Sequence, residues 1–479
     1  MAEMWKLVAL QIVFPLIIVV FSVLLNLRRK GKRNDGAGMV VPGNTGFPFV
    51  GETLSLFSSM KSPTGVQSFT EKRAKLYGRT FMTNILGNNR VFTSEREAVK
   101  FIWSSENALF RFAGAKSTED MFGKNSLFYV GADVHKKMRK LVGEPLSKDI
   151  LKKNFEQMEA ICLDILDGWS GKTVSAMDGT SSFAFQIISY ITASISKGPE
   201  LSLLHKRFTD IIKASESFAI NIPGTAYYKG LKARQDLMAS LDTIIDRRRK
   251  GDEMKDDFIQ SMVSRDGLPP DERLSDMEIK DNCLILLLAG HATSGAALTW
   301  AMKYLEDHPK AKEALMEEYK KIEERKDKSS SSTNLTWDDI SDMPYTLKVI
   351  FETLRMSAPA PWISREAIQD TSLQGFFIKK NWNVSIDANA LHYDPNLFEN
   401  PTKFNPSRFD ETPKPYSFVG FGGGLRTCLG VNLAKLEMTI FLYHLCTKYR
   451  WKSVSNETAL SSTFIRVLKN GYLIEVEPK

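Results

Sequence analysis

The feature that most constrains the fold is a glycine-rich segment that ends at a cysteine and runs directly into a helix. Residues 421–430 read FGGGLRTCLG, and a helical pattern continues over residues 431–449. Glycines allow backbone amides to approach the sulfur of Cys428, and the N-terminal end of the following helix carries partial positive charge. Both effects favour a thiolate. The segment therefore predicts a metal-binding or reactive cysteine. The alternative is a glycine-rich turn before a buried core cysteine, and the motifs described below decide against it.

The other cysteines give no reason to expect that Cys428 forms a disulfide. The chain has four cysteines in 479 residues, and no two of them have CxxC spacing. Cysteines that are so few and so scattered exclude a disulfide framework and indicate reduced thiols in the cytosol. Hydrophobic residues make up 43% of the chain and charged residues 25%, which is typical of a folded globular protein.

The N-terminal region has an apolar stretch at residues 7–27, followed by the basic run RRKGKR. This stretch is long enough to cross a membrane as a helix. Basic residues on its C-terminal side place the following chain in the cytosol, whereas a cleaved signal peptide would carry them on the other side. The predicted organisation is a lumenal tail (1–6), a transmembrane anchor (7–27), a basic linker (28–41) and one large catalytic domain (42–479). Because the anchor explains the basic run, no nucleic-acid partner is predicted.

Periodicity along the rest of the chain indicates a mostly α-helical protein with small β-sheets. Apolar residues recur three and four positions apart through most of residues 96–307, as amphipathic helices require. Strand patterns are limited to a hairpin at residues 81–93 and to short segments near 371–386 and 464–476.

Motifs in a fixed order resemble the cytochrome P450 family. The cysteine segment matches the family's haem signature FxxGxRxCxG at every fixed position. Glu352 and Arg355 match its ExxR helix, and Arg408 lies in the following segment FNPSRF. The resemblance implies the P450 fold, haem b (iron protoporphyrin IX) as cofactor and Cys428 as the axial ligand of its iron. It also implies a structural ion pair between Glu352 and Arg355, which share a helical face and are locked by Arg408.

The same resemblance assigns further contacts to the haem. Phe421 and Gly430 lie at the two ends of the signature. The basic side chains expected at the haem propionates are His135, Arg139, Arg365 and Arg426. Many family members have tryptophan in place of His135, and histidine there resembles the plant branch that oxidises steroids and terpenoid hormones.

A long apolar segment at residues 284–300 resembles the family's central helix, which covers the distal face of the haem. Its core, residues 289–294, reads AGHATS where the family has A/G-G-x-D/E-T-T/S. The resemblance implies that Gly290 leaves room for O₂ and that Thr293 hydrogen-bonds it. Ala292 stands where the family has the acid that relays protons toward O₂.

The missing acid leaves three interpretations open. In the first, water or a polar group of the substrate delivers protons, and Thr293 orients them. In the second, His291 replaces the acid, although in a helix it points about 100° away from Ala292. In the third, the protein does not activate O₂, and instead rearranges a peroxide or binds haem without turnover.

The substrate pocket is predicted to be apolar, as suits a lipophilic ligand. Residues 218–234 and 433–438 resemble plant oxidases of brassinosteroids, gibberellins and abscisic acid. The expected lining includes Phe110, Met121, Leu286, Ala289, Pro361 and Phe464. Arg466, Arg111 and Lys116 are candidates for binding a substrate carboxylate, which would also fit the missing acid at Ala292. These features favour a terpenoid acid, such as a carotenoid-derived strigolactone precursor, over a neutral sterol.

The leading hypothesis is a monooxygenase that hydroxylates a terpenoid- or steroid-derived plant metabolite at the endoplasmic reticulum membrane. The family receives electrons from NADPH–cytochrome P450 reductase, for which Lys136, Lys137 and Lys140 offer a basic face. One alternative is an O₂-independent peroxide isomerase or dehydratase of the same fold. The other is a non-catalytic protein that binds haem or a lipid.

Overall fold

The structure is a computed structural model that describes residues 38–48, 50–326, 334–455, 460 and 465–479. The predicted tail and anchor, most of the predicted linker and the predicted pocket residue Phe464 lie outside the described residues. The chain divides into two compact units. Of the described residues, the sheet unit comprises those from 38 to Arg111 together with Trp362–Asp387, and the helical unit comprises those within Phe112–Pro361 and Ala388–Lys479.

The strands are short and fall into three sheets within the described residues. In chain order they are β1 (Thr80–Ile85), β2 (Asn88–Thr93), β3 (Phe110–Phe112), β4 (Lys172–Ser175), β5 (Trp362–Ala367), β6 (Thr371–Leu373), β7 (Phe376–Ile378), β8 (Asn383–Asp387), β9 (Tyr449–Ser453) and β10 (Leu473–Pro478). The sheet unit has a five-stranded sheet in the order β1-β2-β8-β5-β3 and the pair β6-β7. The helical unit has a sheet in the order β4-β10-β9.

The hairpin predicted at residues 81–93 is confirmed, because β1 and β2 pair antiparallel with Thr80 opposite Thr93. The prediction that other strands are limited to two later segments is wrong, since β3, β4, β5 and β9 lie elsewhere. Strands of three to six residues leave too little alternation to identify by periodicity. In addition, β9 begins at Tyr449 directly after a helix ends at Lys448, and no glycine or proline marks the boundary.

Helices make up most of the described chain, and the predicted mostly α-helical class is confirmed. Those of the sheet unit are Thr53–Met60, Gln67–Tyr77 and Arg96–Ser104. Those of the helical unit are Lys116–Phe122, Ala132–Gly143, Lys148–Lys153, Phe155–Trp169, Ala176–Ala193, Gly198–Ser215, Ala226–Lys250, Phe258–Val263, Asp276–Asp307, Pro309–Arg325, Trp337–Ser341, Pro344–Ser357, Ala388–His392 and Val431–Lys448. Short 3₁₀ turns occur at Glu144–Leu146, Pro406–Asp410 and Gly424–Arg426.

The central helix of the helical unit spans Asp276–Asp307. A capping box starts it, because the Ser275 hydroxyl accepts from the backbone of Glu278 and the Glu278 carboxylate accepts from the backbone of Ser275. Within the described residues it is the one helix long and apolar enough to cross a membrane. Most of that apolar stretch is buried inside the protein, so the helix is a core element.

The central helix packs closely on the helix Ala176–Ala193 at Gly295. A β-carbon at Gly295 would lie 2.9 Å from the backbone of Ser181, closer than two carbon atoms can approach without repulsion. The Thr180 hydroxyl donates to the carbonyl of Gly295 at 2.9 Å, which the close approach permits. This contact fixes the position of the segment that was predicted to cover the haem.

Candidate active site

A buried ion pair organises the helix Pro344–Ser357. The Arg355 guanidinium donates to both carboxylate oxygens of Glu352, at 2.7 and 2.9 Å, and both side chains are fully buried. Arg355 also donates to the carbonyl of His392 at 2.9 Å. A charged pair in the core is stable only when hydrogen bonds satisfy its remaining polar atoms. The Glu352 carboxylate meets that condition, because the backbone amide of Asn405 and the Arg408 guanidinium also donate to it, at 2.9 and 3.3 Å.

His392 extends this network toward the cysteine segment, and the sequence analysis missed it. The backbone amide of Val419 donates to Nε2 of His392 at 2.9 Å, so Nδ1 carries the proton and donates to the carbonyl of Arg355 at 2.9 Å. Burial, and then the charge of Arg355, lower the pKa of His392 to about 3, so the ring is neutral. No motif surrounds His392, and its role depends on contacts with residues distant in sequence.

The cysteine segment is a compact loop closed by its own backbone. The amide of Cys428 donates to the carbonyl of Phe421 at 2.8 Å, and the amide of Gly422 donates to the carbonyl of Val419 at 2.9 Å. Gly422 and Gly424 have φ angles of +68° and +67°, which glycine adopts without strain. The helix Val431–Lys448, hereafter the cysteine helix, starts immediately after this loop and places its N-terminal end beside Cys428.

The Cys428 thiol experiences opposing influences. Burial raises its pKa, whereas a hydrogen bond from the backbone amide of Gly430 and the positive charge of Arg139 lower it. The net pKa lies above the ordinary value, so the expected backbone and dipole effects do not by themselves yield a thiolate. Ligation of a metal would supply the missing stabilisation of the thiolate, because a cysteine that binds a metal is deprotonated.

Two observations in the helical unit fit a bound prosthetic group. Cys428 is exposed to solvent even though surrounding protein raises its pKa, as expected for a side chain that borders an internal space. Ala289 is also exposed, yet residues 279–287 and 294–305 of the same helix are buried. An accessible thiol and an uncovered stretch in the middle of a core helix are what a haem would cover, so the residues fit this group.

The predicted propionate contacts are distributed between the two units. Arg139 lies close enough to influence Cys428, and His135 is buried one turn earlier in the same helix. Arg426 donates to the backbone carbonyls of Leu127, Phe128 and Val130, at 3.0–3.4 Å. Arg365 lies in β5 of the sheet unit, where it is buried in an ion pair with Glu106. Their contact with propionates stays a prediction.

Gly290 and His291 both pack against other helices. A β-carbon at Gly290 would lie 2.9 Å from the side chain of Ile188, so a small residue is required for helix packing. The His291 ring packs against Phe185 and Phe208, with centroids 5.4 and 6.0 Å apart. Burial, and then the charge of His205, lower the pKa of His291 to about 4. A neutral ring in an aromatic cluster argues against His291 as the proton relay.

Thr293 and Ala292 lie in the exposed part of the central helix, and both are partly accessible. The Thr293 hydroxyl donates to the carbonyl of Ala289 at 2.6 Å, one turn earlier. This bond fixes the hydroxyl at the edge of the exposed segment, where its oxygen can accept a further hydrogen bond.

Each candidate for binding a substrate carboxylate already has partners. Arg466 donates to the carbonyls of Met356 and Ser357 and to the side chain of Asn389. Arg111 pairs with Glu366, and Lys116 pairs with Asp120. Of the predicted pocket residues, Ala289 is exposed, whereas Phe110 (in the sheet unit), Met121, Leu286 and Pro361 are buried.

The cysteine loop, its ion-pair network and the uncovered core helix form the arrangement expected of a haem-thiolate site, and the chain was compared with known proteins. The cytochrome P450 family model matches residues 41–475. The chain therefore belongs to the cytochrome P450 family: it is a monooxygenase, and haem b is its cofactor. The predictions of family, fold, enzyme class and cofactor are confirmed.

Plant enzymes are among the proteins to which the chain is similar. Abscisic acid 8'-hydroxylase 1 of Arabidopsis thaliana is 33% identical over 440 residues, which cover 91% of each chain. Abscisic acid 8'-hydroxylase 1 of Oryza sativa subsp. japonica is 35% identical over 419 residues, covering 88% of this chain and 86% of its own. Among solved structures, retinoic acid bound cyanobacterial CYP120A1 has a TM-score of 0.83 and 29% identity, covering 93% of this chain and 100% of its own.

Proposed function

We propose that this P450 hydroxylates a terpenoid carboxylic acid of the abscisic acid type. The similarity to abscisic acid 8'-hydroxylases along 91% of both chains carries this proposal. Retinoic acid, bound in the similar cyanobacterial structure, is also a terpenoid carboxylic acid. The narrower preference for a strigolactone precursor gains no support from these relatives, and neither do the peroxide isomerase and non-catalytic alternatives.

Haem, when bound, supplies the chemistry that activates O₂ and inserts one of its atoms into a C–H bond. Cys428 would hold the haem iron, and the ion pair of Glu352 and Arg355 keeps the polypeptide before the cysteine in place. Thr293 would hold and orient a proton at its hydroxyl. Ala289 adds apolar surface at the uncovered segment, where a terpenoid ring would exclude water.

The proposal includes a membrane anchor at residues 7–27 and a cytosolic domain over residues 42–479 at the endoplasmic reticulum. P450 hydroxylases of plants typically take electrons from a reductase, and the proposed partner is NADPH–cytochrome P450 reductase. Lys136 and Lys140 are exposed and form a basic face, whereas Lys137 donates to the carbonyl of Pro270 at 2.6 Å. Exposed charges of this kind act mainly on the rate of association, which falls as salt is added.

Titration of the full-length, haem-bound protein with abscisic acid tests the substrate class. We expect the acid to shift the haem absorption spectrum, because it displaces water from the site, and to be hydroxylated when reductase and NADPH are present. Retinoic acid and a neutral plant sterol serve as comparison ligands. Tight binding and turnover of the sterol, with no response to either acid, would contradict the proposed substrate class.

Replacement of Thr293 by alanine should uncouple NADPH oxidation from product formation. Without the hydroxyl, protons are no longer directed to the correct position at the oxygen site, and two electrons and two protons are lost with O₂ as hydrogen peroxide. We expect the yield of product per NADPH to fall by about tenfold or more; a positioned proton-transferring side chain typically contributes about 10²–10⁴-fold to a rate. Thr293→Ser keeps the hydroxyl and should retain most of the coupling. Equal coupling in Thr293→Ala and the parent protein would disprove the role of Thr293.

A further inference from the structure

A positively charged side chain of the five-stranded sheet has no acidic partner among the described residues, and none of the roles described so far uses it. Arg90 lies on β2, and its Nη1 group donates to the hydroxyls of Ser364 and Ser385, at 3.0 Å each. Its Nε–H is buried and makes no hydrogen bond within the described chain. A buried cation without an anion costs stability, because nothing replaces the water that it loses. Arg90 is therefore a candidate for binding an anionic ligand.

The surroundings of Arg90 leave its charge uncompensated. Burial lowers the pKa of Arg90 to about 10, and no acidic group of the described residues raises it. The side chain therefore still carries its positive charge at neutral pH. Acidic groups on neighbouring elements have other partners: Glu52 pairs with Arg73, Glu366 pairs with Arg111, and Asp387 interacts with a residue other than Arg90.

The groups of Arg90 that lack partners form the edge through which arginine binds carboxylates. The Nε–H and an Nη2–H of a guanidinium point in parallel and match the two oxygens of a carboxylate. Arg73 donates to both oxygens of Glu52 through this edge, at 2.9 and 2.8 Å. Arg355 binds Glu352 in the same way, at 2.7 and 2.9 Å. In Arg90 only Nη1 bonds to the described residues, so the two parallel donors remain for a ligand.

Two neighbouring strands hold the guanidinium in position. Ser364 on β5 lies opposite Ser385 on β8, and their hydroxyl oxygens are 2.8 Å apart. Both oxygens accept from Nη1 of Arg90. A side chain that is already fixed in this way loses little conformational freedom when a ligand binds. The sheet therefore prepares Arg90 for a ligand before the ligand arrives.

Aromatic side chains border the same guanidinium. Its central carbon lies 6.0 Å from the ring centre of Phe92, and the ring centres of Phe92 and Trp362 are 4.9 Å apart. Phe92 is fully buried, whereas Trp362 is partly accessible. Apolar neighbours exclude water and thereby strengthen a charge-assisted hydrogen bond. They also favour an acid with a hydrocarbon body over a small, strongly hydrated anion such as phosphate.

We propose that Arg90 binds the carboxylate of the terpenoid acid and thereby sets a preference for acids over neutral terpenoids. Arg90 is partly accessible although its Nε is buried. The carboxylate therefore approaches Nη2 and, after a small side-chain adjustment, also accepts from Nε–H. This role was predicted for Arg111, Lys116 and Arg466, which the structure pairs with other groups. The inference rests on the proposed function and identifies the residue that recognises the acid.

Comparison of each acid with its methyl ester isolates the contribution of the carboxylate. Isothermal titration calorimetry of the full-length, haem-bound protein would measure the binding of abscisic acid, retinoic acid and their methyl esters. We expect the parent protein to bind an acid about tenfold or more tightly than its ester, because the ester has no charge to pair with Arg90. In Arg90→Gln the acid should lose this advantage, while the ester binds as before. An equal acid preference in Arg90→Gln and the parent protein would overturn the proposal.

Arg96→Gln is the matched control, because it removes an equal charge from the sheet unit. Arg96 pairs with Glu97 at the surface, so this variant should keep the acid preference. Arg90→Lys keeps the charge without the parallel donors, and its preference should lie between those of Arg90→Gln and the parent protein. It also keeps the proposal testable if Arg90→Gln fails to bind haem, since a preference in Arg90→Lys equal to the parent's would contradict the role.

The outcomes separate this inference from the proposed function. If the parent protein hydroxylates abscisic acid but Arg90→Gln keeps both the acid preference and the KM, Arg90 does not recognise the acid. If the parent protein does not hydroxylate abscisic acid, the proposed substrate is wrong, yet a preference for retinoic acid over its ester that depends on Arg90 would support the site. A parent protein that binds neither acid more tightly than its ester would overturn the site, whatever its activity.

Discussion

Replacement of Cys428 by alanine is expected to abolish the absorption band that reduced, carbon monoxide-bound P450 shows near the wavelength for which the family is named. That band requires a thiolate on the iron, and no other cysteine lies in the signature segment. We expect no trace of this absorption band in the Cys428→Ala protein. The measurement is the difference spectrum of reduced protein with and without carbon monoxide, normalised to protein concentration.

Cys446→Ala is the matched control for this prediction. Cys446 lies on the same cysteine helix but is buried in the core, where burial raises its pKa to about 12 and keeps it a neutral thiol. We expect the control to keep the band and to lose only a little stability through the small cavity that remains. Persistence of the band in Cys428→Ala would show that another group ligates the iron.

Removal of the Arg355 guanidinium should greatly reduce the stability of the fold. Arg355→Ala leaves the Glu352 carboxylate buried without its bidentate partner, and the carbonyl of His392 loses a donor. Breaking a buried pair in this way typically costs about 3–5 kcal/mol. We expect a decrease of that size in the free energy of unfolding of the haem-bound protein, measured by denaturant titration, together with lower haem occupancy.

An exposed ion pair provides the comparison. Lys320 and Glu324 lie one helical turn apart at 3.9 Å, and about two thirds of each side chain is exposed. Lys320→Ala should change the free energy of unfolding by at most about 0.5 kcal/mol. Arg355→Lys keeps a positive charge but loses the planar guanidinium that donates two parallel hydrogen bonds. Its loss of unfolding free energy should therefore lie between those of Arg355→Ala and Lys320→Ala. A loss in Arg355→Ala no larger than that in Lys320→Ala would contradict a structural role for the pair.

Local sequence patterns predicted the parts of the site that are encoded by adjacent residues. The spacing of Glu352 and Arg355 places them on one helical face, and the structure shows them paired there. The glycines before Cys428 indicated a tight loop, and Gly422 and Gly424 adopt positive φ angles in it. In each case the chemistry depends on residues within one turn or one loop, so a single segment of sequence suffices.

Contacts between distant segments explain what the sequence did not reveal. Arg466 was a candidate for binding a carboxylate, but its guanidinium donates to backbone carbonyls more than a hundred positions earlier. Gly290 was interpreted as space for O₂, yet the direction in which a β-carbon would extend is occupied by Ile188 of another helix. A polar residue acquires such a role only through its neighbours, which periodicity along one helix does not identify.

Incubation with ¹⁸O₂ tests the central claim, that this chain is a P450 monooxygenase acting on a terpenoid acid, most directly. The full-length haem-bound protein, its reductase and NADPH would be given abscisic acid, and the product would be analysed by mass spectrometry. We predict one ¹⁸O atom in the new hydroxyl group and no product when NADPH is omitted. A product that takes its oxygen from water, or that forms without NADPH, would contradict this claim.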